Sequence, residues 1–179
     1  TTVNLDGGTL RALDSRTTYM FGLTGGAFIR AGGGTIDTNG FDITIAQSLQ
    51  HDASLGATTD GGLKKAGAGI LALTGTTNDY TGGTTVMAGT LQVNTTTGTG
   101  TGAVTVASGT LAIGSDTNIG STGALTLNGG TLQTTGTFSL GLKTINVGPN
   151  PAGINTDPGT TLTTSGAING TSTLTKSGD

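Results

Sequence analysis

Apolar residues recur along this chain in two interleaved ladders. Leu71, Leu91, Leu111 and Leu132 follow one another at a nearly constant spacing, and Val86, Val106, Leu127 and Val147 keep the same spacing. Between the ladders the text alternates. In Val104-Thr105-Val106 the apolar residues flank a polar one, Ser108-Gly109 interrupts, and Leu111-Ala112-Ile113 alternates again. The next period repeats this with Leu125-Thr126-Leu127, Asn128-Gly129-Gly130 and Thr131-Leu132-Gln133. Alternation of period two places one set of side chains inward and the other outward on a strand. Gly and Asn between the strands supply the left-handed backbone that a tight corner needs. The pattern predicts two short strands per period of about 20 residues. Hairpins would pair such strands antiparallel through two-residue turns. Equivalent strands recurring once per period instead stack parallel, at about 4.8 Å. The expected fold is all-β, a right-handed parallel β-helix (β-solenoid) of eight or nine coils.

Positions 1–62 keep the style less regularly. Gly7-Gly8-Thr9-Leu10 and Gly33-Gly34-Thr35-Ile36 read as the same corner followed by a strand, and Phe41 to Ala46 alternates. Longer spacings there predict loops bulging over Leu13 to Tyr19 and Leu49 to Asp60. Two regions of one continuous solenoid are therefore expected, 1–62 less regular and 63–179 regular. Arg11, Arg16, Arg30 and six of the ten Asp fall in the first region, whose loops are the expected place for any contact with a partner.

Composition narrows the possibilities. The 179 residues include 35 Gly and no Cys, with 9% charged, 3% aromatic and a net charge of −3. Disulfide scaffolds, zinc ribbons and thiol catalysis are excluded. No basic cluster suits nucleic acid. A disordered Gly/Thr linker would not hold Leu and Val in register. The opening Thr1-Thr2-Val3 and closing Lys176-Ser177-Gly178-Asp179 carry no capping element, and no signal-peptide pattern is present. These features read as a piece of a longer chain or a processed product.

Residues 63–93 are the most specific text in the chain. Leu63, Lys65, Gly67, Gly69, Leu71, Leu73 and Gly75 are followed by Asn78, Tyr80, Gly82, Thr84 and Val86, then by Gly89, Leu91 and Val93. This resembles the passenger-associated transport repeat of bacterial autotransporters, the type V secreted proteins of Gram-negative bacteria. One extra residue lies between Gly75 and Asn78, and Asp79 stands where the family usually has Thr. Leu174-Thr175-Lys176-Ser177-Gly178 resembles the opening of another copy. The resemblance implies a β-helix carried across the outer membrane by a C-terminal β-barrel translocator and exposed at the cell surface or secreted. A host-cell or matrix surface is then the implied partner of an adhesive or structural, non-enzymatic passenger. A self-assembling filament, with copies stacking end to end through open β-helix ends, is the alternative reading.

Candidate chemistry is sparse, and no catalytic, cofactor-binding or metal residue is assigned. His51 is the single histidine, beside Ser48, Asp52 and Ser54, but no Gly-x-Ser-x-Gly elbow accompanies it. Asp37, Asn39, Gly40 and Asp42 have the look of a calcium loop without its spacing or its terminal Glu, and read better as an Asx turn. Gly67-Ala68-Gly69 fits part of a dinucleotide fingerprint but continues into a strand, where that site needs a helix. A polysaccharide-acting enzyme would need paired acids and bases, and residues 86–147 offer only Asp116 and Lys143. Thr99-Gly-Thr101, Thr135-Gly-Thr137 and Thr161-Leu-Thr163 miss the repeat register an ice-binding face would require. Asn94 and Asn169 head sequon-like triplets read as coincidental, and Asn78, Asn128 and Asn146 are expected to cap turns or stack in ladders.

Overall fold

Alternating Val, Ile, Leu and Thr lay the chain down as strands that wind into a parallel β-solenoid in the computed structural model, which describes residues 1–120 and 124–179. Sheet I stacks Thr9–Arg11, Gly34–Asp37, Leu63–Ala66, Thr84–Val86, Val104–Val106, Leu125–Leu127, Ile145–Val147 and Ile168–Gly170. Sheet II stacks Arg16–Met20, Ile43–Ile45, Ile70–Leu73, Thr90–Val93, Thr110–Ile113, Thr131–Thr134, Ala152–Thr156 and Leu174–Gly178. A shorter sheet III stacks Val3–Leu5, Ala27–Ile29 and Leu49–His51, and Phe138–Ser139 pairs with Leu162–Thr163. Every strand pairing among the described residues is parallel. Each turn contributes one strand to sheet I and one to sheet II, giving eight turns.

Both ladders are inward columns. Ile36, Lys65, Val86, Val106, Leu127 and Val147 are in register on sheet I, and Ile43, Leu71, Leu91, Leu111, Leu132 and Ile154 on sheet II. The apolar members of both columns are buried in one continuous core. Each such Leu, Ile or Val contributes about 1.5–3 kcal/mol by leaving water. A single turn buries too few of them to offset the chain entropy of its own residues, so each depends on its neighbours. Corners between the two long sheets are built on glycine. Gly89 and Gly109 have φ of 62° and 74°. A Cβ there would lie 2.5 and 2.4 Å from the carbonyl oxygens of Gly67 and Gly89 in the preceding turn.

The turn length is not constant. On sheet I, Thr9 stacks on Thr35 and Thr35 on Lys64, both long steps. The following steps, through Thr85, Thr105, Thr126 and Asn146, are shorter and nearly equal, and the last, to Asn169, lengthens again. The expected period of about 20 residues therefore describes the middle, while the early turns are longer because they carry the extra strand of sheet III. Three local expectations are corrected. Arg16–Met20, expected within a bulging loop, is a sheet II strand whose register slips against Ile43–Ile45. In the second expected loop, Leu49–His51 is a sheet III strand, and the excursion begins at Asp52. Leu174–Gly178, which reads like Leu63–Gly67, lies on sheet II and not sheet I. The same alternation serves on either sheet, so the strand's place in the winding, beside Ala152–Thr156, decides where it lies.

Candidate functional site

His51 ends the last strand of sheet III, and the excursion after it folds back onto the rod. Asp52 accepts from the Ser54 N–H at 2.9 Å and caps one 3-10 turn, Ala53–Leu55. Its other oxygen accepts from Arg30 Nε at 2.6 Å. Asp60 then turns inward. One carboxylate oxygen meets His51 Nδ1 at 2.8 Å, the Thr81 N–H at 2.7 Å and the Thr81 hydroxyl at 3.0 Å. The other accepts from the N–H groups of Gly62 at 2.9 Å and Gly82 at 2.8 Å. Burial pushes the Asp60 carboxyl up, but the His51 bond and these N–H donors together hold it below its ordinary value. His51 is raised, chiefly by its bond to Asp60, against a smaller opposing effect of burial. Its Nε2 sits 3.2 Å from the Gly56 carbonyl oxygen. With acceptors at both ring nitrogens, the imidazolium satisfies the site best.

This geometry clamps a loop: the Thr81 hydroxyl, 3.3 Å from His51 Nδ1, donates to the Asp60 carboxylate at 3.0 Å. Asp52 is engaged by Arg30, Ser48 Oγ lies 3.5 Å from Thr76 Oγ1, and among the described residues no serine bonds to either ring nitrogen of His51. The Asp37 region is the expected Asx turn: Asp37 Oδ1 accepts from the Asn39 N–H at 2.8 Å, with Asn39 at φ 51°. Asp42 Oδ1 accepts from the Ile70 N–H at 2.8 Å in the next turn. Among the described residues no group of three or more His, Cys, Asp or Glu could hold a metal ion.

The site that sequence reasoning missed is Lys65. It occupies the inward column between Ile36 and Val86 and is fully buried. Its ammonium shares three N–H donors among four acceptors, Thr38 Oγ1 at 3.0 Å and the carbonyls of Ala66, Gly67 and Ala88 at 2.9, 2.7 and 3.0 Å. It therefore joins three consecutive turns at one corner. Burial pushes its pKa down to about 8, with Asp37 and Asp42 opposing. A signal was present in the alternation, because Lys65 shares the parity of Leu63 and the ladder phase of Val86.

Beyond this corner lies a second buried polar cluster. Asn78 Oδ1 accepts from the Leu49 N–H at 2.7 Å and its Nδ2 donates to the Gly98 carbonyl at 2.8 Å. Thr84 Oγ1 donates to the Thr99 carbonyl at 2.8 Å, so the Tyr80 hydroxyl, 2.6 Å away, donates to Thr84. Asn128 Oδ1 accepts from both the main-chain and side-chain N–H of Asn150, an expected turn cap, and Asn146 stacks in register on Asn169 in sheet I. The outward column of sheet I runs Thr85, Thr105, Thr126, Asn146 and Asn169, and Thr99 is buried.

Shallow clefts remain among the described residues. One of about 150 Å³ is lined by Thr96, Thr97, Asp116, Thr117, Ile119 and Lys143. Another, about 300 Å³, opens at the last turn between Ile145, Ile154, Leu162, Ile168 and Leu174.

Comparison with known proteins places one label on this geometry. Residues 63–93 match the family model of the passenger-associated-transport-repeat. The match begins on the sheet I strand of Lys65 and ends on the sheet II strand of Leu91, and such a repeat on a parallel β-solenoid fits an autotransporter passenger. No curated protein and no solved structure matches the chain.

Proposed function

We propose that this chain is part of a non-enzymatic autotransporter passenger, a rigid β-solenoid carried to the surface of a Gram-negative cell and adhesive or structural in role. The observation that carries this reading is the repeat at 63–93 lying in register within the parallel solenoid. Its partner in export is an outer-membrane β-barrel translocator belonging to the same full chain. Contact with a host or matrix surface falls to positions 1–62, where Arg11, Asp14 and Arg16 are well exposed. The mechanism is physical. Turns gain stability one interface at a time, so the rod folds progressively as it emerges and holds its contact surface away from the membrane.

The test is export of the chain fused ahead of an outer-membrane β-barrel translocator. Surface labelling and digestion by external protease on intact cells are the expected results. Retention in the periplasm in a folded, protease-resistant form would overturn the reading.

A filament of end-to-end copies is the second reading, favoured by the apolar cleft at the last turn and by Ile168, which is 51% exposed beside it. Concentration-dependent fibres in electron micrographs would support the filament, and monomers at all concentrations would exclude it.

A further inference from the structure

We infer that Asp60, Lys65, Asn78 and Asp79 form an adaptor that ends sheet III and joins the wide early turns to the narrow later ones, so that the wide turns open as a separate unit. Sheet III stops at Leu49–His51, and among the described residues no strand continues it in the following turn. A sheet that ends in this way exposes unpaired N–H groups, which cost free energy when buried and invite foreign pairing when open. Here side chains take the place of the missing strand. Asn78 Oδ1 accepts from Leu49 N–H and Asp79 Oδ1 from His51 N–H, both at 2.7 Å. The Asp79 N–H returns to the Leu49 carbonyl at 3.2 Å. Asn78 Nδ2 then reaches Gly98 in the next turn, so the connection passes from a stranded wall to an unstranded one.

The rest of the set lies at the same join. Asp60 gathers the N–H groups of Gly62, Thr81 and Gly82, while Lys65 ties Thr38, Gly67 and Ala88. On sheet I the long step from Thr35 to Lys64 gives way here to the short one from Lys64 to Thr85. Three of the buried polar residues, Asp60, Lys65 and Asn78, thus sit where the cross-section changes, and they act there through their side chains. Asp79 supplies one of the two caps. The inference rests on the chain's own geometry and stands whether or not the chain is exported.

Hydrogen exchange on the whole chain, read residue by residue, tests it. In Asn78→Ala/Asp79→Ala the amides of Leu49 and His51 are expected to exchange at least tenfold faster, with residues 27–51 following, while residues 104–113 and 125–134 stay within twofold. Asp79→Ala alone should release His51, and Asp79→Asn, which keeps an acceptor oxygen, should restore it. If the double variant fails to fold, this pair of single variants carries the test. Equal acceleration on both sides of the join would show one cooperative rod and overturn the inference. Unchanged exchange at Leu49 and His51, or failure of Asp79→Asn to restore His51, would overturn it as well.

Discussion

Lys65→Met isolates the buried ammonium. Methionine fills much of the same space but leaves the inward carbonyls of Gly67 and Ala88 without the Nζ donor. Each buried acceptor deprived of its donor costs about 1–3 kcal/mol. Against this, the variant no longer has to bury a charge. The fall of the Lys65 pKa from 10.5 to about 8 places that penalty at about 3 kcal/mol. At neutral pH the two effects offset each other to within about 3 kcal/mol. The pH dependence is sharper. Because the folded pKa lies below the unfolded one, the unfolded chain holds the extra proton between about pH 8 and 10.5, and wild-type stability rises through that window. Linkage gives a gain of about 2 kcal/mol between pH 7.5 and 9.5. Tyr80 acts in the opposite sense, since burial raises its pKa, but only once free tyrosine ionises near pH 10. Urea unfolding followed by circular dichroism at pH 7.5, 8.5 and 9.5 should show the gap between wild type and Lys65→Met widening with pH. A gap that stays constant, or a variant more stable throughout, would refute the assignment of Lys65 as a buried, hydrogen-bonded cation.

The His51 clamp behaves in the reverse sense: its folded pKa is raised, so its stabilisation is complete below about pH 6.5 and fades as pH rises through the folded value. Protection of amides in residues 53–60, corrected for intrinsic base-catalysed exchange, should therefore fall on that side, with Asp79, Asp52 and Arg30 as the other charges nearby, and His51→Phe should abolish that fall. Val106→Asp or Leu127→Asp places an unpaired carboxylate in a fully buried column. It should cost about 4 kcal/mol or more and expose residues 104–134 to protease; full resistance would mean the column does not face inward. Gly69→Ala would set a Cβ 1.9 Å from the Phe41 carbonyl oxygen, and a loss of about 3 kcal/mol is expected. Gly114→Ala, where the nearest atom is a Thr135 hydroxyl at 3.3 Å, serves as the mild control, and equal melting of the two variants would argue against close stacking at Gly69.

Periodicity carried most of the fold because a solenoid repeats the same environment at each turn. Leu71, Leu91, Leu111 and Leu132 could be aligned from spacing alone, and the structure stacks those four in that order. The first turns were harder. There Ile36 stacks on Lys65 and Ile43 on Leu71. The long step from Ile36 to Lys65 includes a third strand, Leu49–His51, and an excursion, and neither leaves a periodic trace.

The candidate site divides along the same line. Alternation and glycine corners are local, so the chain by itself determined two inward columns, their register through the regular turns and the repeat at 63–93. The alternation gives Lys65 an inward phase but not its partners, and Asn78 reads as a turn cap without its partners, because a polar side chain's role depends on which atoms the neighbouring turns present. Lys65 meets Thr38 from 27 residues upstream and Ala88 from 23 downstream. Asn78 and Asp79 meet Leu49 and His51 across separations of 29 and 28 residues. Only the stacking of turns brings those donors and acceptors together, and so only the tertiary structure decided where sheet III ends and which charge is buried.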